Sequence, residues 1–404
     1  RKDSTSNCAG IKKASFAYSF VCGGGFMSIY IVQAGDTIDR IAGYYGTSVP
    51  EISYANQIPY PYALAVGEAL FIPVDEEAEA EKRTAVSDGY AYPYISPWVL
   101  EQTLPYLTRL LIFSYGFTTT GELLPPSRPV EWMIQAAFRY GVQPVLVLTP
   151  LGSDGRFNNN LIHEVVGSEI ATETLIQNLL QEMEEKGYQG VDVDFEYILP
   201  EDRDSFTAFV EKLTQASREQ GKKVSVALAP KTSADQKGLL YEGKDYAGLG
   251  AAADQVLLMT YEWGYTYGPP MAVAPLNKVR QVVEYALTEI TSEKILLGIP
   301  NYGYDWTLPY VSGESKAVTI GHVQAVQIAI EQGVPIRFDE TARSPWFTYE
   351  EERTHEVWFE DVRSLQDKYN LVSEYNLKGI GIWQIMRLFR ALWLQYAHQF
   401  YIEE

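Results

Sequence analysis

Gly190-Val191-Asp192-Val193-Asp194-Phe195-Glu196 sets three carboxylates two residues apart in an otherwise apolar run. Side chains alternate between the faces of a strand, so the three acids share one face, with neighbours about 6.6 Å apart. Val191, Val193 and Phe195 take the other face. Seven further runs share this length and character: GYAYPYI (89–95), LLIFSYG (110–116), PVLVLTP (144–150), VSVALAP (224–230), QVLLMTY (255–261), ILLGIPNY (295–302) and GIGIWQI (379–385). Amphipathic stretches such as ETLIQNLLQEMEEKG and DSFTAFVEKLTQASREQG lie between most of them, and RLFRALWLQYAHQFY follows the last. Near-continuous apolar strands alternating with helices indicate a parallel sheet with both faces covered. Eight such units predict an α/β fold, a closed (β/α)8 TIM barrel, over residues 89–404. A doubly wound open sheet is the alternative, but no Gly-x-Gly-x-x-Gly follows an early strand. The gap between the seventh and eighth runs is much the longest and holds Thr341–Tyr349 and Trp358–Asp361. A small α+β insertion walling one side of the site is expected there.

The interior of such a barrel is normally filled by Val, Ile and Leu. Three acids pointing inward are costly to desolvate and repel one another. Some must hold protons or accept hydrogen bonds, and their titrations must be coupled. A solvated edge strand would explain a lone acid pair, but the following helix and the count of eight argue against it. Barrel enzymes work at the C-terminal ends of their strands, which marks Glu196 for proton donation to a leaving oxygen. Other strand ends agree: Tyr261-Glu262-Trp263 after the sixth, Asn301-Tyr302-Gly303-Tyr304 after the seventh, and Trp383-Gln384 at the eighth. An acid, hydroxyls, amides and an indole at one mouth compose a carbohydrate site.

Charge narrows the function. Lys and Arg number 32 against 52 Asp and Glu, a net of −20. Nucleic-acid and anionic-membrane binders need a basic footprint, so neither partner is expected. The 29 Tyr and 8 Trp offer flat faces suited to stacking on sugars. Both cysteines, Cys8 and Cys22, lie near the N-terminus, which leaves the folded part without a disulfide, a thiolate metal site or a Cys nucleophile. The four histidines form no His-x3-His pair, so a zinc protease is excluded; no metal and no cofactor are expected.

Ahead of the barrel, residues 28–74 read as strand, helix, helix, strand. SIYIV alternates; Asp36 or Thr37 can cap a helix with Ile38, Ile41, Ala42 and Tyr45 on one face. Ser48-Val49-Pro50-Glu51 is a capping box that opens a second helix ending at Asn56, and ALFIPV closes the unit. Residues 75–88, charged and small, read as a solvated linker. Residues 1–27 read as an N-terminal extension with Met27 as a natural start. Within it, two lysines followed by a short apolar run faintly resemble a signal peptide, but the run is too short to span a bilayer.

Two resemblances follow from these motifs. Tyr30-x-Val32-x-x-Gly35-Asp36-Thr37, Ile41-Ala42, Asn56 and Val66-Gly67-x-x-Leu70-x-Ile72-Pro73 resemble the LysM module. That resemblance implies binding of N-acetylglucosamine-containing glycans, peptidoglycan or chitin, by Gly35, Asp36 and Thr37 before the first helix and Asn56, Gln57 and Ile58 after the second. As helix caps and turn residues, Asp36, Thr37 and Asn56 have structural work as well.

The run 190–196, with Met259-x-Tyr261 and Trp383, resembles the signature of family-18 glycoside hydrolases. With a LysM in front, and with GYAYPYI, MTYEWG and GIPNYGYDW, the chain is most similar to the spore-germination hydrolases that degrade cortex peptidoglycan. The resemblance implies a retaining, substrate-assisted hydrolysis of N-acetylglucosaminide bonds, in which the substrate's acetamido oxygen attacks the anomeric carbon. Glu196 would be the acid and then the base, Asp194 would orient the acetamido group and pass charge to Asp192, Tyr261 would bond the acetamido oxygen, and Trp383 would form the floor. Glu262, Asn301, Tyr302 and Gln384 would bind substrate. Glu262 stands where the family commonly has Asp, Gln189 where its signature usually carries Asp, and one LysM is present where two are common. A chitinase of the same mechanism, or a silent wall- or spore-associated lectin, are the alternatives. Silent members typically lose the acid that this chain keeps at Glu196. The expected location is the spore or cell wall, with secretion.

Overall fold

The computed structural model describes residues 17–20, 27–73 and 82–404; the expectations for 1–16, 21–26 and 74–81, including both cysteines, lie outside the described residues. Eight parallel strands form the centre: β1 (Thr84–Ala91), β2 (Arg109–Phe117), β3 (Gln143–Leu148), β4 (Gly190–Val193), β5 (Lys223–Leu228), β6 (Gln255–Leu258), β7 (Ile295–Pro300) and β8 (Gly379–Trp383). Each pairs with its neighbours in sequence. The ring closes because β1 pairs with β8 (Val86 opposite Gly379) and with β2 (Asp88 opposite Arg109). The fold is the closed barrel that the eight apolar runs predict, not the open sheet.

Two boundaries differ from the sequence reading. The first strand runs from Thr84 to Ala91 rather than from 89 to 95, so residues 84–88 belong to the barrel and not to a linker. Ser87 and Asp88 read as solvated residues, but both are buried: the Ser87 amide donates to Thr108 Oγ1 at 3.1 Å, and Asp88 takes a paired contact from buried Arg109. Pro93, which has no N–H for a ladder, falls in the loop beyond the strand. On β4 regular pairing stops at Val193, so Asp194, Phe195 and Glu196 lie just past the strand. One further bond, Asp194 N to Leu148 O at 2.9 Å, extends the ladder's direction.

The insertion between β7 and β8 begins at Gly303, earlier than the sequence marks it. It holds a five-stranded antiparallel sheet (Val318–Ile320, Gly303–Thr307, Thr354–Trp358, Ser344–Glu350, Arg337–Asp339, in spatial order) with the helix His322–Gln332 against it.

The N-terminal unit has the expected order: strand Met27–Ile31, helices Ile38–Tyr45 and Val49–Asn56, strand Ala69–Ile72. Thr37 caps the first helix and Ser48 with Glu51 forms the capping box of the second. The extension contributes a third strand, Ala17–Phe20, antiparallel to Met27–Ile31. The unit has its own core of Val32, Ile38, Ile41, Ile52, Ile58, Leu70 and Ile72, yet it is docked rather than tethered. Ile336 N donates to Val66 O at 2.8 Å, Arg390 N donates to Gln57 Oε1 at 2.7 Å, and the Arg390 guanidinium lies 3.9 Å from the Tyr54 ring centre. Gly67, at φ 82°, comes so close to the insertion that a Cβ would collide with Ile336 O.

Glu68 is buried at this seam, with the Ala65 amide on its carboxyl at 3.0 Å. Burial pushes it from 4.5 up to about 7, and that one amide bond only partly opposes the rise. The native state therefore binds a proton that the unfolded chain releases, and stability is lost as pH rises from 4.5 through 7. Glu68→Gln is expected to raise stability at pH 8, by up to about 3 kcal/mol, and to leave it unchanged near pH 4. Chemical unfolding at the two pH values checks this.

Candidate active site

The barrel interior is a column of polar groups walled by Val86, Tyr90, Leu111, Phe113, Val145, Val147, Leu257 and Leu296. At its base Arg109 Nε donates to Asp88 Oδ1 at 2.9 Å, a second guanidinium contact closing the pair. Above it, fully buried Asp192 accepts from Tyr90 Oη at 2.9 Å and from Ser225 Oγ at 2.5 Å. Burial raises its carboxyl above the usual range. The Ser225 bond, the Arg109 charge and the Tyr90 bond pull the other way.

Asp194 comes next and is nearly buried; its Oδ1 has no hydrogen-bond partner. Its carboxyl is pushed well up, first by burial and then by the charges of Glu196 and Asp192. An unpartnered buried oxygen is expensive for a protein unless it carries a proton or awaits a ligand. Glu196 stands at the open end, exposed on one side and packed by protein on the others. Burial of those sides raises it, and the charge of Lys244 opposes the rise. The three acids of the 190–196 run thus line up from the dry interior to the rim.

The rest of the mouth is aromatic and phenolic. Burial, with the charges of Asp194 and Glu196, keeps the Tyr261 hydroxyl far above 10 and therefore neutral. Trp383, at the end of β8, meets the rings of Phe113, Tyr90 and Tyr92 edge-on at 4.9, 5.7 and 6.0 Å. Glu262, at φ 68°, accepts on Oε1 from Tyr302 Oη and, at 2.9 Å, from Tyr304 Oη. Loops that follow the strand ends carry exposed Tyr94, Phe157, Tyr265 and Tyr267 around this mouth. Among the described residues, no group of three or more His, Cys, Asp or Glu is arranged to hold a metal ion.

Several residues named from the sequence do other work. The Asn301 amide donates to the carbonyls of Gln384 and Arg387 at 3.0 and 2.9 Å, bracing the loop after β8 rather than facing the mouth. The Gln384 side chain accepts from Met386 N at 2.8 Å within that loop. The Tyr302 hydroxyl is spent on Glu262. In the N-terminal unit, Asp36 accepts from Tyr30 Oη and Gln33 N at 2.6 and 2.7 Å, while Gly35 and Thr37 are exposed. Buried Asn56 exchanges bonds of 2.7 and 2.8 Å with the Phe71 main chain, Ile58 is in the core, and Gln57 faces Arg390. Asn56, Gln57 and Ile58 therefore hold the unit together and to the barrel.

Sequence reasoning missed Tyr90, Ser225, Tyr92 and Lys244. A lone Ser at an inward position of VSVALAP was a readable signal for Ser225. Lys244 lies in a loop with no pattern to mark it.

Residues 147–387 match Glycosyl hydrolases family 18, and residues 30–73 match the LysM domain. The chain belongs to glycosyl hydrolase family 18. It is a glycoside hydrolase with a LysM module in front. Similar curated proteins include the Cortical fragment-lytic enzymes of Bacillus subtilis (37% identical, 93% of this chain and 98% of that protein) and Bacillus anthracis (35% identical, 93% and 99%). The crystal structure of the Bacillus megaterium spore cortex-lytic enzyme SleL superposes with a TM-score of 0.88 at 32% identity, covering 94% of this chain and 99% of that one.

Ser225→Ala removes the closest donor from Asp192 in a fully buried site, a loss of about 1–3 kcal/mol. The family-18 site is expected to lose about tenfold or more in kcat with KM nearly unchanged. Steady-state kinetics on a soluble N-acetylglucosaminide checks it.

Proposed function

We propose that this chain is a retaining N-acetylglucosaminidase acting on the peptidoglycan of the spore cortex, with the substrate's acetamido oxygen as nucleophile. The observation that carries the reading is Asp194: an unpartnered, proton-retaining carboxyl set between Asp192 and Glu196, beside an aromatic floor. The cortex as target follows from the similarity to cortical fragment-lytic enzymes along nearly the whole chain. The LysM module, and the names of these relatives, support binding of N-acetylglucosamine-containing glycans and a spore or cell-wall location. No helix among the described residues is long and apolar enough to cross a membrane.

In this mechanism the sugar sits on Trp383 with its acetamido group over Asp194. Glu196 donates its proton to the glycosidic oxygen as the bond from that oxygen to the anomeric carbon breaks. The acetamido oxygen forms a bond to the same carbon from the opposite face, giving an oxazolinium. Asp194 accepts the acetamido N–H, shedding negative charge into a proton shared with Asp192. Tyr261, neutral throughout, donates to the acetamido oxygen. Glu196, now a carboxylate, takes a proton from water as the water oxygen bonds to the anomeric carbon and the bond from that carbon to the acetamido oxygen breaks, so the acetamido group is restored and the configuration is retained. Raised carboxyl pKa values suit both roles, since the acid must hold a proton near neutral pH.

The exposed aromatics give the mouth a rim suited to stacking on successive sugars. Gly35, Asp36 and Thr37 are the LysM residues left open for glycan. Glu196→Gln is expected to abolish release of reducing ends from cortex fragments while binding persists. Proton NMR of the parent reaction is expected to show the β-anomer first. Full activity of the variant, or α-anomer first, would overturn the reading; turnover of chitin oligomers without any of cortex fragments would move the substrate to chitin.

A further inference from the structure

Lys244 belongs to the loop between β5 and the helix Tyr246–Ala252, and nothing in the mechanism above uses it. Its side chain is completely buried. Nζ donates to the carbonyl of Phe195 and, at 3.4 Å, to that of Ala227; it lies 5.5 Å from the Phe206 ring centre. Both acceptors are main-chain carbonyls, and no carboxylate pairs with it among the described residues. A buried ammonium without an ion pair is unfavourable to keep.

Its position explains why one is tolerated. Ladder bonding on β4 ends with the Asp194 amide. The next anchor along the chain is the Phe195 carbonyl, the peptide oxygen between Asp194 and Glu196, and Lys244 holds it. The adjoining Gly243 packs so closely that a Cβ would collide with Ile198 O, so the loop clamps the stretch from 195 to 198. Lys231 Nζ in turn donates to the Lys244 carbonyl at 3.1 Å, holding the loop.

We propose that Lys244 is a positioning residue for the acid pair: its buried ammonium fixes the main chain at Phe195, between Asp194 and Glu196, and supplies a positive charge beside the pair. The proposal deepens the hydrolase reading and rests on it. The titratable groups around it are few. Asp192, Asp194 and Glu196 come from β4 and its extension, Tyr90 and Tyr92 from the β1 side, and Tyr261 and Glu262 from the loop after β6. Tyr197 follows Glu196, Lys231 and Asp245 share the loop with Lys244, and the Asp88–Arg109 pair lies at the barrel base. The charges of Asp194 and Glu196 favour the ammonium. They oppose burial, which lowers it to about 8.

The sign of the effect follows. The ammonium favours the ionised form of both acids, so removing its charge raises both. The acidic limb of activity, set by loss of the first proton from the aspartates, and the basic limb, set by loss of the Glu196 proton, must move to higher pH together.

The experiment is the pH profile of kcat/KM on a soluble N-acetylglucosaminide for the full chain and two variants. Lys244→Gln keeps a donor to Phe195 O but not the charge. It is expected to shift both limbs upward by about one pH unit, with kcat falling and KM little changed. Lys244→Arg keeps the charge and is expected to return the limbs toward the parent positions. A Gln profile superposed on the parent's, or an Arg profile shifted as far as the Gln one, overturns the proposal. If the Gln variant does not fold, nitrogen NMR of the lysine side chains in the parent, assigned with the Arg variant, reads the charge directly. A charged Lys244 at the activity optimum is the expected result, and a neutral amine there overturns it. Full activity of Glu196→Gln would instead sink the underlying hydrolase reading, a separate result.

Discussion

The hydroxyls of Tyr90 and Ser225 donating to Asp192 are what let a carboxylate stand in the dry centre of this barrel. Ser225 comes from β5, which pairs with β4, whereas Tyr90 comes from β1, which does not, so the closed ring is what brings the two hydroxyls together. Below them the charge of Arg109 favours the ionised form of Asp192 and that of its partner Asp88 opposes it, and above them Asp194 and Glu196 continue the column to solvent. Because burial raises each of these carboxyls, the native state retains protons that the unfolded chain would lose. The column therefore costs stability as pH rises through its titration range. Such a cost at one end of a barrel is the expected mark of a site selected for proton transfer rather than for packing.

The front of the molecule follows a different logic. The LysM module has a core of its own, to which Ile58 belongs and which Asn56 braces, yet Gln57 fastens it to Arg390 beyond the loop after β8 and Val66 fastens it to Ile336 of the insertion. Gly35 and Thr37, in the loop before its first helix, are exposed. Asn301 braces the same loop after β8 from beneath. Module and insertion are joined by the bond from Ile336 to Val66, and the module meets the chain after β8 at Arg390.

Much of this was legible in the sequence, for identifiable reasons. Strands buried on both faces produce unmistakable apolar runs, and acids with period two inside such a run stand out against that background. The capping box at Ser48 and the order of the N-terminal unit were likewise local signals. What failed were cases where a residue's partner is distant in sequence. Ser87 and Asp88 looked solvated because Thr108 and Arg109, which bury them, lie on the next strand. Asn301 looked like a binder because strand-end amides often are; its bonds to the Gln384 and Arg387 carbonyls commit it to the loop after β8. Lys244 was invisible, since a lysine in a Gly-containing loop is ordinarily exposed.

The central physical claim is that Asp192, Asp194 and Glu196 hold protons in common at neutral pH instead of ionising independently. Infrared difference spectroscopy with carboxyl isotope labels measures this directly. With Glu68→Gln as the background, the account predicts a protonated carboxyl band at pH 7 that is lost on adding Asp194→Asn. A spectrum at pH 7 that Asp194→Asn leaves unchanged would contradict it.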